Sequence, residues 1–437
     1  MRLAAAWAVL GLAGCVDHEP GLVNGTQSLR IDLVAPTTTG TQDNPLPDSA
    51  RSVKFNVTAL DPLGNTDPTF TREVQVYAQF LGTLTPALGS AMPLGHFMVT
   101  NGVAMNQTVM LPPVFGQTTL WIDDGADMDP TYATGTSPTL FFRNPFIADI
   151  QTPVDETAST ALSVSPLQNK QISVTGSRYG ANGRLIVTSI FAQGYTVADV
   201  KCGDPAGTPP CVSAAYDSLE VFSFSAPMDQ QFGLLAEGET ISGFSGGISE
   251  FDGLTEVGFP QSFVATPQGM PDVNPAREPA PVKIDTGTWF NPLGDTTGEI
   301  NFERNEAGLL ELDGGVVCAL DTDFGSFNQW KIDPAGPVAG QACTNPGTGD
   351  LPAQGSCMAG QFCVIRGIET AGVCAEDCTN LKNIINVVSA GTVSTLDPST
   401  LQGVHLSKIL GIERPLNISA SFNLWIIYPR SMSDITQ

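Results

Sequence analysis

Few side chains in this 437-residue chain stand where they could do chemistry. Gly243-Phe244-Ser245-Gly246-Gly247 satisfies G-x-S-x-G, the pattern around a nucleophilic serine. That chemistry needs a strand, a sharp turn and then a helix. Here another strand pattern follows, so the glycines are expected to bend a sheet and Ser245 to be no nucleophile. His405, one of three histidines, is expected on a strand edge at the surface. The densest acidic run is Asp123-Asp124-Gly125-Ala126-Asp127-Met128-Asp129. Carboxylates at alternate positions around a glycine can wrap Ca²⁺, which takes about six to eight oxygens. Asp123, Asp124, Asp127 and Asp129 are therefore candidate ligands of a structural calcium, the one cofactor the sequence suggests. The EF-hand spacing is not met and no Glu closes the loop; the competing reading is a solvated loop using Asp for turn chemistry.

The nine cysteines carry more information. Setting Cys15 aside leaves Cys202, Cys211, Cys318, Cys343, Cys357, Cys363, Cys374 and Cys378, an even set that reads as disulfides in an exported chain. Cys202 and Cys211 flank a Pro/Gly loop that a local bridge could staple. Five cysteines cluster between Cys343 and Cys378, with Cys318 as the sixth member. A zinc site is the rival, but it would want C-x-x-C pairs or nearby His, and neither is present. The remaining pairings stay open at this point. No residue is assigned a catalytic role.

These residues must be positioned by strands. With 45 Gly and 33 Pro the chain favours many short strands and turns over long helices. Leu29, Ile31 and Leu33 alternate with polar residues, as do Val53, Phe55 and Val57, then Val74, Val76, Ala78 and Phe80, then the run Thr118–Ile122. Period two with turns between runs predicts an antiparallel sandwich over 28–145. Pro145–Thr160 reads as a linker or leading strand. Strand runs follow at Lys170–Gly176, Arg184–Val200, Ser218–Ser225 and Glu239–Phe259. A Pro-rich segment, 267–281, reads as an inter-domain linker. Beyond it come Leu309–Val317, Gln329–Ile332, Gly403–Leu406 and Asn423–Pro429, with the cysteine cluster (about 343–378) inserted and Thr379–Ser389 expected as one short helix.

Met1-Arg2 opens the chain and Leu3–Gly14 is apolar or small throughout. Such a run is too short to span ~30 Å of hydrocarbon and fits a secretory signal segment. It ends Leu12-Ala13-Gly14-Cys15, which resembles a bacterial lipobox. The resemblance implies cleavage before Cys15, acylation of that residue, and a membrane anchor followed by a tether over 16–27. Val16 at the next position implies the outer membrane by analogy with bacterial sorting.

Other stretches resemble known modules. Val53–Asn65, VKFNVTALDPLGN, resembles a strand-turn unit of bacterial immunoglobulin-like domains. Gly238–Glu256, with its Gly-Glu start and Glu-Phe-Asp-Gly-Leu-Thr-Glu end, resembles a strand pair of the OB-fold domains associated with secreted bacterial nucleases. GYTVADV and SLEVFSFS fit another pair of the same domains, over 160–266. The ending TLQGVH … NLWIIYPRSMSDI resembles their close, over 282–437. The resemblances imply an all-β chain: one immunoglobulin-like sandwich, then two OB-like barrels, the second with a cystine-rich insertion. OB barrels bind through strands two and three, which makes Phe191, Tyr195, Phe222, Phe224 and Trp330 candidate ligand-binding residues.

The balance of 19 Lys+Arg against 44 Asp+Glu, −25 overall, repels nucleic acid and anionic lipid. The sequence therefore favours a non-catalytic envelope lipoprotein that binds or scaffolds, with an envelope protein or glycan as partner. The alternative is an OB-fold protein that captures extracellular DNA or RNA, or assists a nuclease.

Overall fold

The structure is a computed structural model. It describes residues 25–80, 92–112, 114–125, 133–156, 164–266, 270–290, 298–336, 340–347, 353–378, 383–419 and 422–437. Cys15, the signal segment and most of the tether lie outside these residues, as do Asp127 and Asp129. No helix among the described residues is long and apolar enough to cross a membrane. The chain is all-β, as expected, and divides into two compact units with the boundary between Arg143 and Asn144.

The first unit holds two antiparallel sheets. Strands β1 (Ser28–Ala35), β2 (Ser52–Leu60) and β5 (Val103–Met110) form one, in the order β1-β2-β5. Strands β4 (Gly95–Val99), β3 (Arg72–Phe80), β6 (Gln117–Asp123) and β7 (Thr134–Thr136) form the other, with β8 (Leu140–Phe141) also on β6. The period-two alternation sends Leu29, Ile31, Val53, Phe55, Val57, Val74, Val76, Leu120 and Ile122 inward, all buried. Phe55 of β2 and Phe97 of β4 meet edge to face, ring centroids 5.8 Å apart.

The second unit contains an internal repeat. Its first sheet has the order β13-β10-β11-β12-β15-β14-β9, from β9 (Gln171–Val174), β10 (Gly183–Phe191), β11 (Gly194–Lys201), β12 (Ser218–Phe222), β13 (Thr240–Ile241), β14 (Gly243–Phe251) and β15 (Leu254–Phe263). The next sheet runs β24-β18-β19-β23-β26-β25-β17 with β16 at the end, and β27 pairs β25. Its strands are β16 (Val282–Lys283), β17 (Leu309–Leu312), β18 (Gly315–Val317), β19 (Gln329–Asp333), β23 (Ile385–Val388), β24 (His405–Leu406), β25 (Lys408–Ser419), β26 (Phe422–Tyr428) and β27 (Ile435–Thr436). Strand for strand the two orders coincide. Within the shared order each has one parallel pair at the same place, β12 with β15 and β23 with β26; the added β16 also pairs parallel with β17. The other pairings of the shared order, β9–β14, β10–β13, β10–β11, β11–β12 and β14–β15, match β17–β25, β18–β24, β18–β19, β19–β23 and β25–β26, all antiparallel.

The cystine cluster is a three-stranded insertion, β20 (Ala342–Cys343), β21 (Gln361–Ile365) and β22 (Gly372–Glu376), in the order β20-β22-β21. Four bridges form: Cys202–Cys211, Cys318–Cys378, Cys343–Cys363 and Cys357–Cys374. All eight candidates are used, and Cys318–Cys378 ties the root of the insertion to the end of β18.

Three expectations change. Thr379–Ser389 is not a helix: Ile385–Val388 is β23, and 379–382 lie outside the described residues. β-branched Ile385 and Val387 are fully buried in a strand with neighbours on both sides, where branching at Cβ favours extended backbone. Of Pro145–Thr160, the described part, 145–156, is neither free linker nor strand. It contains α1 (Ile147–Gln151), whose Ile147 and Ile150 are fully buried, and Gln151 Nε2 donates to the Ser218 carbonyl at 2.7 Å. The described part of the 267–281 segment, 270–281, is docked as well. Arg277 Nη1 donates to Asp272 at 2.7 Å and to Thr240 at 3.0 Å, and Glu278 pairs with Arg430 at 2.7 Å.

Candidate functional site

The two sheets of the second unit meet where β12 and β15 of the first approach β25 of the second. On β12 and β15, Glu220 lies beside Glu256 across the parallel pair, and Ser249 of β14 lies opposite Glu256. Across β23, β26 and β25, the corresponding strands of the second sheet, Asn386, Ile426 and Arg414 form a row. Arg414 Nε stands 2.7 Å from Glu220 Oε2. Its guanidinium is held between two rings, Phe191 at 4.4 Å and Tyr428 at 4.7 Å to the centroids, contacts that favour a cation over the negative faces.

A cleft of about 250 Å³ opens at this seam. Glu220, Glu256 and Arg414 lie in its lining, with Phe222, Phe251 and Tyr428 among its apolar walls. Asp252 and Gly253 connect β14 to β15 as a two-residue turn, both with positive φ (49° and 92°). Asp-Gly suits such a turn because its backbone twist matches the flanking strands. This turn brings Asp252 to the cleft. From Phe222 an aromatic run continues outward: Phe222 and Phe224 are 4.4 Å apart, Phe224 and Phe259 4.9 Å. Phe259 is 82% exposed and Phe224 54%. A second hollow of about 400 Å³ lies by Phe324, Asn328 and Ser389, but its one carboxylate, Asp397, caps its own turn by accepting from the Ser399 amide at 2.9 Å.

Below the cleft the seam holds more acid than base. α2 (Thr286–Trp289) and α3 (Ile300–Glu303) precede β17, and Glu303 and Glu306 fall three residues apart at the end of α3. The Thr255 amide donates to Glu306 Oε1 at 3.0 Å. Ser165 N–H and Thr255 Oγ1 donate to Glu250 Oε1 at 2.7 and 2.9 Å. Glu413 is wholly buried, and neither of its carboxylate oxygens has a hydrogen-bond partner among the described residues. Burial raises the Glu303, Glu306 and Glu413 carboxyls well above their usual range, and repulsion from neighbouring glutamates, Glu250 and Glu220 among them, adds to it. Burial pushes Glu220 up to about 7, with Arg414 opposing and Glu256 adding. Glu256 is raised by burial too, against a hydrogen bond from Ser249 Oγ.

The candidates named from sequence divide accordingly. Phe222 lines the cleft, Phe191 supports Arg414, and Phe224 is exposed beside Phe222. Tyr195 and Trp330 belong to the interior instead. Tyr195 is fully buried with its hydroxyl 2.7 Å from Ser262 Oγ, and Trp330 is in the core of the second sheet with its indole N–H donating to Ser389. Both sit on strands covered on two faces, so the aromatic side chain fills space and its polar tip is satisfied locally. Asp123 and Asp124 are buried and engaged: Asp123 accepts from Trp121 Nε1 (3.1 Å) and the Gly125 amide (3.0 Å), and Arg72 pairs with Asp124 at 2.7 Å. Among the described residues the one grouping with metal-ligand spacing is Cys343, Cys357 and Cys374, whose sulfurs are in disulfides. Ser245 lies within β14 between β9 and β15, not on a strand-to-helix turn, and His405 pairs with Val316 at the sheet edge.

Sequence reasoning missed Glu220, Glu256, Arg414 and Glu413. The Glu-Phe-Asp-Gly-Leu-Thr-Glu motif was the available signal for Glu256 and Asp252. Nothing local marks Arg414, which meets Glu220 only through the repeat. Comparison with protein-family models, curated proteins and solved structures finds no match to this chain.

Proposed function

We propose that this chain is a non-catalytic lipoprotein of the bacterial envelope, anchored through Cys15, and that its work is binding through the cleft at the seam of its internal repeat. In this reading the first unit is an immunoglobulin-like sandwich and the second a pair of OB-like barrels. The strand order of each repeat supports the OB assignment: two opening strands placed toward opposite ends of the sheet (β9 and β10, β17 and β18), antiparallel hairpins, and one parallel pair, β12 with β15 and β23 with β26. The observation that carries the functional reading is the cleft itself, an apolar-walled concavity with convergent charged groups. Those groups count against the nucleic-acid alternative, since three acids and one arginine face the space where a phosphate would sit.

Two measurements test this. Cys15→Ala should move the chain from the membrane fraction to the soluble fraction of the producing cell; an unchanged membrane fraction rules out the anchor. The full chain in neutral detergent should bind saturably to envelopes from cells lacking it. Leu416→Trp, which fills the cleft, should weaken that binding at least about tenfold while leaving the urea midpoint unchanged. Equal binding by the filled variant rules out the cleft.

A further inference from the structure

We infer that the cleft takes a cationic group, an alkylammonium or guanidinium; the inference rests on the cleft being the binding seat. The seam carries Glu220, Glu256 and Asp252 against Arg414 alone. Arg414 is not available to an anion: it is 2.7 Å from Glu220 and sandwiched by Phe191 and Tyr428. Arg414 also acts on Glu256, which Ser249 Oγ holds at 3.2 Å, so one arginine stands against two carboxyls of the seam and the balance stays acidic. Glu220 is 2% exposed, and its Oε2 and Arg414 Nε are closed off from solvent against each other, so that pair is a charge contact the guest does not enter. The carboxylates left to face a guest are Glu256 and Asp252, both in the lining.

The walls suit the same guest. Phe222, Phe251 and Tyr428 present rings to the space, and aromatic faces attract cations most strongly where water is excluded. A volume of about 250 Å³ is below the ~300–1,000 Å³ of sites for drug-sized ligands and fits one side chain or a small amine. A neutral sugar could stack on the rings but would leave the surplus carboxylate uncompensated. The guest can be a free amine or a basic side chain on a polypeptide, and the chemistry of the seat is common to both.

The test titrates the full chain in neutral detergent with n-butylguanidinium, its uncharged isostere n-butylurea, and acetyl-Gly-Arg-Gly-amide, by calorimetry. Butylguanidinium should bind, butylurea at least about tenfold more weakly, and Glu256→Gln should cost the cation at least about tenfold in affinity with an unchanged urea midpoint. Tighter binding of the peptide than of butylguanidinium assigns the guest to a polypeptide; the reverse assigns it to a free amine. Equal affinity for the cation and the urea, an unaffected Glu256→Gln variant, or no binding by any probe overturns the inference. If Leu416→Trp still abolishes envelope binding in that case, the cleft remains the seat for another ligand; if it does not, both readings fail.

Discussion

The Thr255 amide donates to Glu306 Oε1 at 3.0 Å, so a buried carboxyl from the approach to one sheet closes the hairpin of the other. Around this contact Glu303, Glu306 and Glu413 are buried together, with Glu250 and Glu220 near enough to repel and Arg414 the cation that faces them.

These carboxyls make stability depend on pH with a definite sign. Each is raised above the usual 4.5, so between that pH and its raised value the folded chain holds protons that the unfolded chain has released. Stability contributed by the protonated groups is complete below 4.5 and is lost as pH rises through that window, each group contributing a slope of about 1.4 kcal/mol per pH. The urea midpoint should therefore be higher at pH 5 than at pH 8, and Glu413→Gln should flatten the difference. A midpoint that rises across that window, or a slope unchanged in the variant, contradicts this account of the seam.

The bridges should be separable by their reach. Cys318–Cys378 closes a 60-residue loop around the insertion, whereas Cys202–Cys211 closes 9. Loss of the longer bridge in a Cys318→Ala/Cys378→Ala chain should cost about 2–4 kcal/mol, and loss of the shorter one less. Peptide mapping of the unreduced chain should return the four pairs above; any scrambled pair in the 343–378 cluster contradicts the insertion as described.

Two aromatics that look alike in sequence should behave oppositely. Trp330→Ala empties a fully buried site and should cost about 3–5 kcal/mol. Phe259→Gly removes an exposed ring held at φ 51°, where the relief of backbone strain offsets the lost contact with Phe224. Its stability should stay within about 1 kcal/mol of the parent chain. Denaturant titration of the two variants decides, and similar losses would put Phe259 in the core.

Nucleic acid should not bind. In a retardation assay at about 20 mM salt, labelled single-stranded DNA and RNA should run free, because a chain of charge −25 repels the phosphates and offers few cations to release their counterions. A shift that fades steeply with added salt would restore the nucleic-acid reading.

Much of the fold was legible in the sequence because period two is a local signal. Leu29-Ile31-Leu33 and Val53-Phe55-Val57 announced β1 and β2, and the Asp252-Gly253 turn was flanked by readable strands. The even set of eight cysteines announced bridges, and the Pro/Gly loop between Cys202 and Cys211 announced one pairing. The candidate site was much less legible. Glu220 and Arg414 are nearly two hundred positions apart and meet only when two repeats stack. Glu303 and Glu306 sit in a charged stretch that reads as surface, and only tertiary packing buries them. Tyr195 and Trp330 failed as surface candidates for the same reason: alternation identifies a strand but cannot say when its second face is also covered.

Hydrogen exchange on the full chain, free and adsorbed to envelopes from cells lacking it, tests the central claim most directly. The account predicts new protection at Glu220–Phe222, Phe251–Glu256 and Arg414–Leu416, the segments that frame the cleft. Protection confined to residues 28–143, with those three segments exchanging as in the free chain, would contradict it.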